Sequence, residues 1–285
     1  MSAINCSRLQ SVRRAHDSEP PSTIAIMSHF SRYIDRSVKL VSESLTNMIL
    51  MRGADAPSRA PRTLWTFNSK EDISQYTTGS DMDIGGNSTV NLDLDENPKH
   101  NAKIGRKATG VFWGEMRLDV RPGYEHKMRG GYAGFRNKNR PTVFGDLMDD
   151  ASLHEYLALR LRLGGDPRTR NSYYVNIQVD SAFNTDLWQH RLYFRRQDSE
   201  WEDIFIPFKN FVRTDYGQMS EKQLKMVRER VKTIGISMLG GNSGVAGKYE
   251  LGIDSIRLVN EEDVTHEPLI PTKEKEAELN EKESS

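Results

Sequence analysis

The sequence predicts an all-β protein, an antiparallel β-sandwich or jelly roll over residues 62–260, preceded by one amphipathic helix. Two observations predict this fold class. In several short segments every second side chain is apolar, as in strands that bury one face. Breaks rich in glycine, proline and aspartate separate these segments, and helical patterns do not alternate with them. Short strands without intervening helices favour an antiparallel sandwich over a parallel βαβ sheet.

The composition excludes several classes of protein. The chain has 285 residues, 40 basic against 40 acidic side chains, and a single cysteine, Cys6. One cysteine excludes an internal disulfide framework and a thiolate-built zinc or iron–sulfur site. With a formal charge of zero, the chain lacks the positive excess that is typical of a dedicated nucleic-acid-binding protein. No apolar run approaches the roughly 20 residues that span a bilayer.

The first segment, residues 1–27, is rich in arginine and serine. Arg8, Arg13 and Arg14 precede the first acidic residue, Asp17. This pattern is typical of a mitochondrial transit peptide, and equally of a disordered basic tail. Both interpretations make residues 1–27 a leader that stands outside the folded domain.

Residues 28–52 predict an amphipathic helix. Apolar side chains recur there at spacings of four and three residues, at Phe30, Ile34, Val38, Val41, Leu45 and Met48. Such a helix packs on its own core, on a partner or on a membrane surface. Residues 53–61 follow as a linker, because Gly53 ends the helical pattern and prolines come after it.

The strand signals are strongest in the middle of the chain. Apolar side chains alternate with others at Leu157, Leu159, Leu161 and Leu163, at Tyr173, Val175, Ile177 and Val179, at Leu192 and Phe194, and at Ile234, Ile236 and Met238. A last strand changes phase between Ile253 and Ile256, which predicts a bulge near Asp254.

Two segments differ from this pattern. Residues 220–231 predict the one helix inside the domain, with Ser220 as N-cap and Leu224, Val227 and Val231 on one face. Residues 261–285 carry nine acidic side chains against three lysines and few apolar ones, so they predict a disordered acidic tail.

A search for catalytic motifs points to no enzyme and no cofactor. The glycines at 241, 244 and 247 join two strands, whereas a phosphate cradle needs a strand, a turn and a helix. Asp81, Asp83 and Asn87 resemble the start of a calcium loop without its sixth-position glycine and its closing glutamate. We therefore expect no catalytic residue, no cofactor and no metal ligand.

The segment 121–140 joins basic and aromatic side chains, with Tyr124, Tyr132 and Phe135 among them. Such a mixture binds single-stranded RNA or anionic lipid, and it also fits an exposed loop followed by a strand whose aromatic rings enter the core. Trp188 either stacks on a ligand such as a sugar or closes one end of the sandwich. The candidate surface contacts are Arg129, Arg136, Lys138, Arg140 and Trp188.

An ordered series of short motifs resembles a known family. The series runs through Trp65-Thr66-Phe67, Ser80-Asp81, Gly85-Gly86-Asn87-Ser88, Gly110-Val111-Phe112-Trp113-Gly114, Leu159-Arg160-Leu161, Gly165-Asp166, Tyr174-Val175-Asn176-Ile177, Trp201, Ile206-Pro207-Phe208, Ile234-Gly235-Ile236 and Leu251-Gly252-Ile253-Asp254-Ser255-Ile256. In order and spacing it is similar to the complex I intermediate-associated protein 30 family, over about residues 62–260.

The resemblance implies a jelly roll similar to galactose-binding-like domains and a mitochondrial assembly factor for respiratory complex I. The implied partners are complex I assembly intermediates and other assembly factors, in the matrix or peripheral to the inner membrane, with no nucleic acid. The residues that match signature positions, which we interpret as structural, are Trp65, Asp81, Gly85, Gly86, Asp166, Trp201, Pro207 and Phe208. The alternatives are a carbohydrate-binding module and an RNA-associated module that uses residues 121–140.

Overall fold

The computed structural model describes residues 23–49, 58–181, 186–215 and 218–265. The helices are α1 (Thr23–Ile49), α2 (Lys70–Ser74), α3 (Pro98–Asn101) and α4 (Gly240–Ser243). The strands are β1 (Arg62–Thr66), β2 (Tyr76–Ser80), β3 (Asn91–Asp95), β4 (Thr109–Met116), β5 (Tyr132–Asn137), β6 (Pro141–Thr142), β7 (Gly145–Asp146), β8 (Tyr156–Gly165), β9 (Tyr173–Val179), β10 (Asp186–Arg191), β11 (Trp201–Pro207), β12 (Val212–Asp215), β13 (Gln218–Met219), β14 (Val231–Leu239) and β15 (Gly247–Val259).

Two antiparallel sheets form the domain, which confirms the predicted fold class. The six-stranded sheet has the order β11-β8-β15-β4-β3, and β1 also pairs with β15. The seven-stranded sheet has the order β13-β12-β10-β9-β14-β5-β2. A separate hairpin of β6 and β7 lies beside them.

The inner faces of the two sheets meet in one hydrophobic core. Leu157, Leu159 and Leu161 of β8 and the apolar side chains of β9 are buried, as their period of two predicted, and Leu163 is partly buried beside them. Aromatic rings fill the region around Phe67, which stacks on Tyr76 at 4.5 Å between ring centroids. Phe112 and Phe135 meet edge to face at 5.1 Å, so aromatic contacts join the two sheets.

The predicted bulge in the last long strand is confirmed. The pairing of β15 with β8 changes register between Ile253 and Ser255. Asp254, at the bulge, is buried and accepts hydrogen bonds from Arg106 Nε at 2.8 Å and Asn68 Nδ2 at 3.1 Å. Because these donors satisfy the carboxylate, a charged side chain is accommodated beside the core.

The predicted amphipathic helix is present with shifted ends. It runs over Thr23–Ile49 and not over residues 28–52, so residues 23–27 of the predicted leader are helical. Residues 1–22, residues 50–57 and residues 266–285 lie outside the described residues, together with most of the predicted linker and tail. Within the described segments, no helix has the length and apolar character required to cross a membrane.

The prediction of a helix over residues 220–231 is wrong. That segment is irregular up to a short 3₁₀ turn at Arg228–Arg230. The Gln223 side chain binds the backbone of Arg213 in β12, accepting from its N–H at 2.8 Å and donating to its carbonyl at 3.0 Å. These tertiary hydrogen bonds hold the segment against β12, and they override the helical spacing of its apolar residues.

Replacing a core aromatic ring should destabilise the domain far more than replacing an exposed one. Phe67 is 0% exposed, whereas Phe144, in the turn between β6 and β7, is 71% exposed. We expect Phe67→Ala to lower the free energy of unfolding by about 3–5 kcal/mol, because it leaves a cavity. Phe144→Ala should change it by about 0.5 kcal/mol or less. Urea unfolding followed by circular dichroism measures both, and equal losses would contradict the assigned core.

Candidate functional site

Asp81 anchors the loop between β2 and β3 to the start of β5. Its side chain is fully buried, and Oδ1 accepts from the Ser88 N–H at 2.8 Å. Oδ2 accepts from the Ser88 hydroxyl at 2.8 Å and from the N–H groups of Gly131 and Tyr132 at 2.5 and 3.1 Å. A buried carboxylate with four donors is a strong structural tie.

The two neighbouring glycines fit closely around this carboxylate. A Cβ atom on Gly86 would lie 2.4 Å from Asp81 Cγ, and one on Gly85 would lie 2.5 Å from the Tyr124 ring. Gly85 also has a φ of +117°, which favours glycine. These contacts support the structural role predicted for Asp81, Gly85 and Gly86. Since N–H and O–H donors surround Asp81, its oxygens are not arranged to bind a cation.

The other predicted structural residues also have specific contacts. Trp65 is buried, with the Arg140 guanidinium 4.8 Å above its ring, and Trp201 donates from Nε1 to the His100 carbonyl at 2.6 Å. Asp166 accepts from the Arg168 N–H and side chain, which lowers the pKa of that carboxyl. Pro207 and Phe208, at the end of β11, line a cleft described below.

The structure corrects two of the predicted surface contacts. Trp188 is only 4% exposed, because the irregular segment after β13 and the turn after β11 line the same cleft and enclose the ring. Arg140 is largely buried between Asp149, to which it donates at 2.5 Å, and the Trp65 ring. Neither side chain is available as a surface platform.

The remaining basic candidates lie in different places, and of these Arg136 lines a cleft together with the aromatic Tyr132. Arg129 is exposed, Arg136 is half-buried in β5, and Lys138 is exposed and donates to the Ser74 carbonyl at 2.9 Å. Phe135 points into the core, as expected if the segment ends in a strand. Tyr124 is exposed with Lys127 5.4 Å from its ring centroid. The predicted mixture of 121–140 is therefore divided between an exposed loop, the core and the cleft beside β5.

An apolar groove, which sequence reasoning missed, lies between α1 and the hairpin of β6 and β7. The Ser37 hydroxyl in α1 accepts from the Val143 N–H at 3.0 Å and donates to the Tyr33 carbonyl at 2.9 Å, which attaches the helix to the hairpin. The groove has a volume of about 530 Å³. We call it the helix groove, and its exposed apolar residues are Ile34, Val38, Val41, Leu45, Val143 and Phe144.

The sequence predicts the α1 side of the helix groove better than the hairpin side. The spacing of Ile34, Val38, Val41 and Leu45 predicts one apolar helix face. The only indication of the hairpin side in the sequence is the apolar pair Val143-Phe144, which stands between Pro141 and Gly145. The pair occupies a tight turn, where large apolar side chains are seldom expected.

Comparison with known proteins identifies the family to which this chain belongs. The family model for Complex I intermediate-associated protein 30 (CIA30) matches residues 65–253. The chain is 32% identical to the mitochondrial Complex I intermediate-associated protein 30 of Neurospora crassa, over 82% of this chain and 86% of that protein. The mouse protein of the same name is 26% identical over 68% of this chain and 55% of its own length. The chain belongs to the CIA30 family.

Among solved structures, the chain resembles the family 11 carbohydrate-binding module of a cellulosomal cellulase of Clostridium thermocellum. The identity is 13% and the TM-score 0.48, over 72% of this chain and 96% of the module. For the same module in complex with a mixed-linked tetrasaccharide, the identity is 14% and the TM-score is 0.48. Likeness at this level concerns the arrangement of strands and carries no inference about a ligand.

Asp81→Asn should destabilise the domain without changing its size. Whichever way the amide is turned, its NH2 group faces a backbone N–H that requires an acceptor, either that of Ser88 or those of Gly131 and Tyr132, so about 3 kcal/mol of unfolding free energy should be lost. The matched control is Asp93→Asn, because Asp93 is exposed and, among the residues that the structure describes, its side chain accepts from the exposed Trp113 alone. Chemical denaturation of both variants is the measurement, and a loss for Asp81→Asn no larger than the control would refute the structural role.

The stability of the domain should fall as His190 becomes protonated. Burial lowers the pKa of the folded-state His190 ring below its ordinary value of 6.5. The unfolded chain therefore takes up this proton first, and stability is lost as the pH falls below about 6.5 towards the folded pKa. His190→Gln should remove this part of the pH dependence. Thermal unfolding between pH 7.5 and 5 measures it, with His126→Gln in the exposed loop as control.

Proposed function

We propose that this protein is a mitochondrial assembly factor that binds intermediates in the assembly of respiratory complex I. Membership of the CIA30 family supports this role, since the relatives carry the words "complex I intermediate-associated" and "mitochondrial" in their names. The protein acts by binding and not by catalysis. Its site of action is the matrix, at the periphery of the inner membrane.

The helix groove is the observation that supports this function best. Six large apolar side chains are exposed together on α1 and the hairpin, and a contiguous apolar patch of this kind on a folded domain marks an interaction surface. The charged side chains Lys39 and Glu43 pair at 3.7 Å and face away from the groove. The helix therefore presents one apolar side to a partner and one charged side to water.

The occupant that we propose is an apolar surface of an incompletely assembled membrane subunit. Such a subunit exposes side chains that later contact a neighbouring subunit or lipid, and in water these would aggregate. The helix groove covers part of this surface until the next subunit replaces it. An interface that must be given up again is expected to be small and partly polar at its rim.

Replacing apolar residues of the groove should reduce the recovery of complex I subunits. In the variant Val38→Gln/Leu45→Gln both positions keep a good helix former, and two apolar contacts are removed. Burial of one such side chain contributes about 1.5–3 kcal/mol, so recovery should fall by at least roughly tenfold. The measurement is affinity purification of the tagged full chain from mitochondria, with mass spectrometry of the bound subunits.

The matched control is Lys39→Gln/Glu43→Gln, which changes the opposite face of the same helix. It should recover the subunits as the unsubstituted protein does. Equal recovery with both variants would contradict the helix groove as the binding surface. Enrichment of RNA or glycans, with no complex I subunit bound to the unsubstituted protein, would contradict the function itself.

A further inference from the structure

A second cleft, which we call the end cleft, lies at one end of the sandwich. It has a volume of about 660 Å³ and shares no lining residue with the helix groove. Its walls are mainly apolar: Trp188 from β10, Pro207 and Phe208 from the end of β11, Phe211, Leu224 and Met226. Volume and lining are both within the range of sites that bind small molecules.

The end cleft contains a hydrogen-bond donor without an acceptor. Trp188 is 4% exposed, and its indole Nε1 has no hydrogen-bond partner among the described residues. A buried N–H group that has lost water and gained no acceptor destabilises the folded state. An oxygen atom of a ligand that reaches Nε1 from the cleft would satisfy it. The backbone of Trp188 is fixed in place because β10 pairs with both β9 and β12.

The rim of the end cleft has an excess of positive charge. Lys209, Lys225 and Arg228 line it together with two acids, Glu155 and Glu261. Both acids have other partners, since Glu155 is 3.6 Å from Arg59 and Glu261 accepts a hydrogen bond from the Tyr156 hydroxyl.

The two lysines have no such partner. Lys209 and Lys225 are exposed, and no ion pair is formed by either within the part of the chain that the structure describes. Each ammonium group is carried on a flexible stem that can follow an anion at the rim. An anionic ligand group is therefore favoured over a neutral or cationic one.

We propose that the end cleft binds a small amphiphilic carboxylate, with an apolar chain or ring against the aromatic walls. One carboxylate has two oxygens and about four acceptor positions, so it can accept from the Trp188 N–H and attract the lysines together. The apolar part replaces water along Phe208, Phe211 and Leu224. This site is independent of the assembly function, because it uses none of the residues of the helix groove.

The test is the binding of decanoate to the full chain, followed by isothermal titration calorimetry, with 1-decanol as the uncharged probe. We expect saturable binding of decanoate and at least roughly tenfold weaker binding of decanol. Lys209→Gln/Lys225→Gln should weaken decanoate binding by about tenfold and leave decanol unchanged. The matched control is Lys222→Gln, an exposed lysine of the same segment that does not line the cleft.

Two further variants locate the ligand. Trp188→Phe retains an aromatic ring and removes the N–H donor, so decanoate binding should weaken by about tenfold. Leu224→Gln should weaken the binding of both decanoate and decanol. Because this side chain is 61% exposed, its replacement should leave the fold intact, and the test remains valid if Trp188→Phe fails to fold. Absence of saturable decanoate binding, equal affinity for decanol, or unchanged affinity in the lysine and Leu224 variants would each overturn the proposal.

Discussion

The sharing of one edge of β15 between two strands is the constraint on which the six-stranded sheet depends. Along this edge β4 pairs with residues 247–253 and β1 pairs with residues 255–258, while β8 follows the opposite edge. The bulge at Asp254 separates the two partners, and Arg106 and Asn68 hold its carboxylate. Because β1 can join only beyond this point, the bulge decides where Trp65 and Phe67 enter the core.

The sequence predicted correctly the strands in which apolar side chains alternate with a period of two. It failed where contacts with residues far away in the chain determine the local conformation. The leucines of β8 and the change of phase at Asp254 identified strands and bulge, because burial of one face imposes the period itself. Residues 220–231 have a helical period, but hydrogen bonds between Gln223 and Arg213 determine their conformation. For Trp188 the sequence left exposure and burial both open, since the residues that enclose it are 20 and more positions away in the chain.

Neither of the two surfaces that we assign to binding is the outer face of the six-stranded sheet. That face carries ion pairs. There Asp203 accepts from Arg160 at 2.7 Å and from Arg257 at 2.7 Å, and Arg162 donates to Glu250 at 2.8 Å. Charges on this exterior are thus paired within the domain. These pairs contribute no net charge to the exterior, whereas the surfaces that we assign to partners are the apolar helix groove on α1 and an apolar cleft with two unpaired lysines.

The loop around Asp81 has a consequence for how the sequence of this domain can change. Surface loops usually accept inserted residues, because their backbone is free to bulge into solvent. In the loop from Asp81 to Ser88, however, the carboxylate of the first residue accepts from the N–H of the last, and the carbonyl of Gly85 accepts from the Arg121 N–H at 2.8 Å. Its length is therefore constrained by these contacts, and a residue larger than glycine at position 86 requires a smaller side chain at position 81.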